Sequence, residues 1–191
     1  MGRPKNFEPE AVVADAMEAF WTNGYAGTSP ADLAEATGVA KGSLYHSFGS
    51  KRELFGKALD LYDRVGAEVT EDYLSRPGTA KECIRAYLLH LVEMDLAGPV
   101  KRGCLVVNTT LELAGRDEEA TKAVRRIAQR GIDLLAERIE RGQRDGDVAA
   151  DVDAMAVARF LMNTIGGLRV MARGFDGPVL RQVIDTALAV F

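Results

Sequence analysis

His46, His90, Cys83 and Cys104 are the side chains of this 191-residue chain best suited to hold a metal or act as a nucleophile. Their separations fit no zinc-ligand pattern, which needs closely spaced pairs converging on one ion. Neither a G-x-x-x-x-G-K-[ST] phosphate loop nor a G-x-S-x-G nucleophile elbow occurs. The expectation is no catalytic residue, no metal and no cofactor. Two cysteines are too few for a disulfide framework and suit a reducing cytosol. Cys104 follows Lys101-Arg102-Gly103, and those cations would favour its thiolate. That makes it a candidate sensor of oxidants or electrophiles, against the ordinary role of a small buried thiol. Cys83 reads as a packing residue.

A second kind of chemistry lies in Lys41, Ser43, Tyr45 and His46, whose side chains suit phosphates and base edges. The elements around them have a reason to present them. Ser29 suits an N-cap, Pro30 the first helical position, and Asp32 stands where an acidic capping box would close. Gly38 supplies the positive φ of a tight turn, and Leu33, Val39, Leu44 and Phe48 are apolar where two short helices share a core. Helix-turn-helix spacing of this kind also occurs in plain αα-hairpins, which leaves a helical protein-interaction domain open. Net charge argues against nucleic acid. It is −4 overall, and in the first 55 residues five bases (Arg3, Lys5, Lys41, Lys51, Arg52) stand against seven acids. Any DNA affinity must be local and strongly salt-sensitive.

The run Gly24-Tyr25-Ala26-Gly27-Thr28-Ser29, Leu33-Ala34, Gly38-Val39-Ala40-Lys41-Gly42-Ser43-Leu44-Tyr45-His46-Ser47-Phe48 and Ser50-Lys51-Arg52-Glu53-Leu54 resembles the N-terminal domain of TetR/AcrR-family transcriptional regulators, over about residues 8 to 60. The resemblance implies a three-helix DNA-binding domain at 1–50 and a helical effector-binding and dimerisation domain at 51–191. It implies a homodimer bound to double-stranded operator DNA, usually a repressor that a small molecule releases. By position, Lys41, Gly42, Ser43, Tyr45 and His46 would face DNA, with Thr28, Ser29 and Lys51 at phosphates. Ala40 departs from the family's usual Ser or Thr, so the recognition helix lacks a side-chain N-cap worth about 1 kcal/mol. Arg3 and Lys5 would form a minor-groove arm, or else a plain disordered tail.

The remaining chain reads as helix throughout, so the fold class is all-α. Apolar residues at helical spacing mark segments 10–21, 81–96, 117–141, 152–171 and 178–191, with a polar turn at 142–147. The β-branched run from Cys104 to Leu111 is compatible with a strand, but no partner strand is visible, so a helix is expected. Tyr87, His90 and Met94 stack on one helix face, and with Cys104, Asn108 and Asn163 they outline an apolar effector pocket with polar anchors. Each alone has an ordinary packing role, and a buried Asn108 would need a hydrogen-bond partner. Phe160, Leu161, Ile165 and Leu168, with Val183, Ile184 and Leu188, form the stripes expected to dimerise. Composition is that of an ordinary globular chain, 47% hydrophobic and 27% charged. No stretch has a signal-peptide core or about 18 uninterrupted apolar residues. A cytoplasmic protein with no membrane partner is expected.

Overall fold

The computed structural model describes residues 7–191, which form nine α-helices and a short 3-10 turn, with no strand among the described residues. Arg3 and Lys5 lie outside the described residues. Three short helices make the head: α1 (Pro9–Asn23), α2 (Pro30–Thr37) and α3 (Lys41–Phe48). The boundary chemistry is local. Ser29 Oγ accepts from the Asp32 amide at 3.2 Å while Asp32 accepts from the Ser29 amide at 2.7 Å, closing the capping box. Gly38 ends α2 in the left-handed region, at φ 64°. Val12, Phe20, Leu33 and Leu44 then bury one core, completed by Leu54 and Phe55 of α4 (Lys51–Ser75).

That long helix belongs to two bodies. Its first half seals the head, and Leu74 near its end joins a second core with α5 (Ala80–Ala97), α7 (Glu118–Asp145), α8 (Ala154–Met171) and α9 (Gly177–Ala187). The boundary expected after residue 50 therefore falls at the start of a helix that the cores share. Between them lies α6 (Leu105–Leu113), whose Leu105 is buried in the head core. The Cys104–Leu111 run is helical from Leu105 on, with Cys104 as the extended N-cap residue.

One expected turn is displaced. α7 continues through Gly142 and stops at Gly146, which takes φ 82°. Gly142 is a packing glycine: a Cβ there would lie 2.7 Å from Val148 Cγ2 and 2.9 Å from Ala80 Cβ. The helix can pass this close to α5 only without a side chain.

Candidate functional site

The exposed side of α3 presents Lys41, Gly42, Ser43 and His46, while Leu44 and Phe48 on its other side anchor it in the head core. The helix begins at Ala40 with no side-chain cap, so its first-turn amides are unclaimed by any side chain. Amides at a helix start, next to Lys41, favour an anion such as a phosphate. Gly42 has open space around it: an added Cβ would find nothing within 4 Å. Lys51, at the start of α4, holds its ammonium 4.4 Å from the centre of the Tyr25 ring, at the edge of the same surface.

Behind the head lies a cavity of about 380 Å³ walled by α1, α4, α5, α6, α7 and α8. Its lining is mostly apolar, with Leu91, Val107, Ile127 and Met162 among the contributors. Polar atoms gather on part of the wall. The Tyr62 hydroxyl donates to Cys104 Sγ at 3.5 Å, and the Thr70 hydroxyl donates to the Tyr87 hydroxyl at 2.9 Å. Burial pushes both phenols up, Tyr62 well above the ordinary tyrosine range. Arg169, 7% exposed, reaches this wall from α8; its Nε is 2.5 Å from Asp95 and its Nη2 donates to the Gly103 carbonyl at 3.0 Å. The same carbonyl accepts from Trp21 Nε1 at 2.8 Å, which ties α1 of the head to α8 of the larger body.

Both parts of this arrangement have counterparts. Residues 12–58 match the model of the tetR family of bacterial regulatory proteins, and residues 80–187 match the tetracyclin repressor-like C-terminal domain. The chain belongs to the TetR family. It is 31% identical over 192 residues to the HTH-type transcriptional regulator YezE of Bacillus subtilis, covering 100% of this chain and 99% of that one. The repressor ComR of Escherichia coli is 31% identical over 194 residues, covering 100% and 91%. Among solved structures, a cysteine mutant of the TetR family regulator CifR, complexed with a 26-bp double-strand operator DNA, superposes at a TM-score of 0.90 with 34% identity and full coverage of both chains. This chain is a helix-turn-helix transcriptional regulator and not an enzyme.

The regulator's own geometry sorts the residues read from sequence. Lys41, Gly42, Ser43 and His46 share the exposed side of α3, and Ser29 is exposed at the start of α2. One expectation on this surface is corrected. Thr28 is fully buried and donates to the Gly24 carbonyl at 2.6 Å, so its hydroxyl closes the α1–α2 turn and does not reach a phosphate. The Tyr45 hydroxyl is buried with no partner among the described residues, and that burial raises its pKa.

Of the six effector residues, Tyr87, Met94 and Cys104 line the cavity. His90 instead stacks on Tyr73, with ring centres 4.8 Å apart. Asn108 donates to the Arg102 carbonyl at 3.0 Å, and Asn163 is exposed on the outer side of α8. Arg102, expected beside Cys104, pairs with Glu18 and lies 4.2 Å from the Trp21 ring centre. The dimer stripes also need correction: Leu161, Ile165, Leu168, Ile184 and Leu188 are buried within the chain, leaving Phe160 and Val183 accessible.

Arg169 and Asp95 went unread in the sequence, although a signal existed. Arg169 continues the buried stripe Leu161, Ile165, Leu168, and Asp95 continues Leu88, Leu91, Val92. Opposite charges in register with two apolar stripes announce a buried pair.

Proposed function

We propose that this regulator binds a palindromic operator in double-stranded DNA as a homodimer, acts as a repressor in the cytoplasm, and is released when a small molecule fills the cavity. The observation that carries the DNA reading is Gly42 among Lys41, Ser43 and His46 on an uncapped helix start. Nothing in the protein requires a glycine there. Close approach of a DNA backbone does. The operator complex of CifR supports the same partner.

A dimer is supported by an unpartnered face. Phe160, Gly167 and Val170 of α8 and Val179 of α9 are exposed, and an added Cβ at Gly167 would meet nothing within 4 Å. Two reading helices on a two-fold axis would then enter successive major grooves about 34–36 Å apart or a little more. Sensing through Cys104 alone is the weaker reading, since Arg102 is committed elsewhere and the thiol is one part of a larger cavity wall. No helix of the described residues is long and apolar enough to cross a membrane.

Mobility shift against the DNA upstream of the regulator's own gene tests the reading. A discrete shift that random duplex does not compete away is expected. Equal shifts of specific and random duplex at saturating protein would overturn it.

A further inference from the structure

The charges around the cavity are already balanced, and that balance restricts what enters. At one wall, Asp63 lies 3.9 Å from Arg130 and 4.0 Å from Arg126, and the half-exposed Arg130 is also 3.5 Å from Glu71. Inside, the nearly buried Arg169 is neutralised by Asp95 at 2.5 Å. Asp95 does not line the main cavity; it lines a neighbouring hollow with Trp21, Pro99 and Arg102. The ligand would therefore meet the guanidinium but not the carboxylate. An arginine offers five N–H donors. Asp95 sits 2.5 Å from Nε but out of hydrogen-bond geometry, so Nε and Asp95 Oδ2 are both buried without a hydrogen-bond partner among the described residues; the Gly103 carbonyl takes Nη2, and no described residue accepts from Nη1.

We infer that the effector is an uncharged, largely apolar molecule carrying one hydrogen-bond acceptor, such as a ketone or ester carbonyl, received by Arg169. This rests on the reading of the cavity as the effector site. An anion would bring a second negative charge to one guanidinium and leave a net buried charge, which is costly. A cation would face Arg169 with Asp95 behind it. A hydrocarbon would strip water from the guanidinium that lines the cavity and give nothing back. A neutral acceptor satisfies the donor and leaves the charge balance intact.

The single tryptophan, Trp21, lines the cavity and donates to the same Gly103 carbonyl as Arg169, so its fluorescence reports occupancy. Four probes of similar size and different ends should be titrated into the wild-type protein at neutral pH: butylbenzene, benzylacetone, phenylbutyrate and phenylbutylamine. Benzylacetone is expected to bind about tenfold or more tightly than each of the others. Arg169→Met should erase its advantage over butylbenzene, and Asp95→Asn, which leaves Arg169 unneutralised, should turn the preference toward phenylbutyrate. The wild-type series decides alone if either variant fails to fold. Tighter wild-type binding of phenylbutyrate or phenylbutylamine, equal binding of all four, or no response to any probe would overturn the inference. A mobility shift with saturating benzylacetone separates the two readings. If it binds as expected yet leaves operator DNA bound, the cavity's role in release fails while the ligand class stands.

Discussion

A methyl group added at Gly42 would touch nothing within 4 Å, and the backbone there is helical, so the fold gains from a better helix former at this position. Gly42→Ala should raise stability by roughly 0.5–1 kcal/mol in denaturant titration. The same change should weaken operator binding in a mobility shift, because the methyl stands where the duplex must approach. A variant less stable, or one that binds the operator unchanged, would remove glycine from the recognition argument. Asp32 makes a second prediction. Hydrogen bonds from the Ser29 amide and hydroxyl hold its carboxyl below the usual range. A depressed folded pKa gives stability that is complete above the unfolded value, roughly 4, and is lost as pH falls through the folded one. The Tm difference between wild type and Asp32→Asn should thus be full at neutral pH and shrink in acid below about pH 4. The capping box and the Gly38 turn were legible in the sequence because each involves neighbours a few residues apart. Thr28 and Asn163 were not, because the side to which a polar residue turns is decided by elements distant in sequence.

Helix α6 shows how local preference yields to context. Its run of Val106, Val107, Thr109 and Thr110 suits a strand, yet Thr109 and Thr110 donate to the carbonyls of Leu105 and Val106 at 2.8 and 2.7 Å, one helical turn back. Those bonds satisfy the hydroxyls within a helix that has the head on one side and the cavity on the other. At its far end, Glu112 accepts from the Tyr25 and Ala26 amides at 2.9 and 2.5 Å, gripping the turn that leads into α2. Charge-assisted bonds of this kind contribute about 1.5–3 kcal/mol when shielded, and less at this partly exposed position. Glu112→Ala should therefore speed hydrogen exchange at residues 24–28 by roughly five- to tenfold, while the core of α5 and α8 keeps its protection. Uniform acceleration across both bodies would mean that Glu112 stabilises the whole chain and does not fasten the head alone. The displaced α7 terminus belongs to this scale as well. Gly142 looks like a turn residue until the contact with Ala80 of α5 is known, and that contact is tertiary.

Across the whole molecule, the apolar stripes of α8 and α9 serve two purposes, and the sequence pattern alone does not divide them. Ile165 and Ile184 read as dimer residues because they lie in register with Phe160 and Val183, but they are buried in the chain's own core. The division follows from how the helices pack: one side of α8 meets α5, α7 and α9, and the side bearing Phe160, Gly167 and Val170 faces outward. The two groups of substitutions should then fail differently. Ile184→Glu places an unpaired charge in the core and should unfold the protein, with loss of helical circular dichroism at ambient temperature. Phe160→Glu leaves the fold intact, since this ring is 44% exposed in the single chain. In a dimer it would bury a carboxylate without a partner, at a cost of several kcal/mol that raises the dissociation constant roughly a hundredfold or more. Light scattering should report a folded monomer. Operator affinity should fall with it, because two linked reading helices gain from effective concentration what a single one lacks. A Phe160→Glu protein that scatters as a dimer would move the two-fold axis to another face.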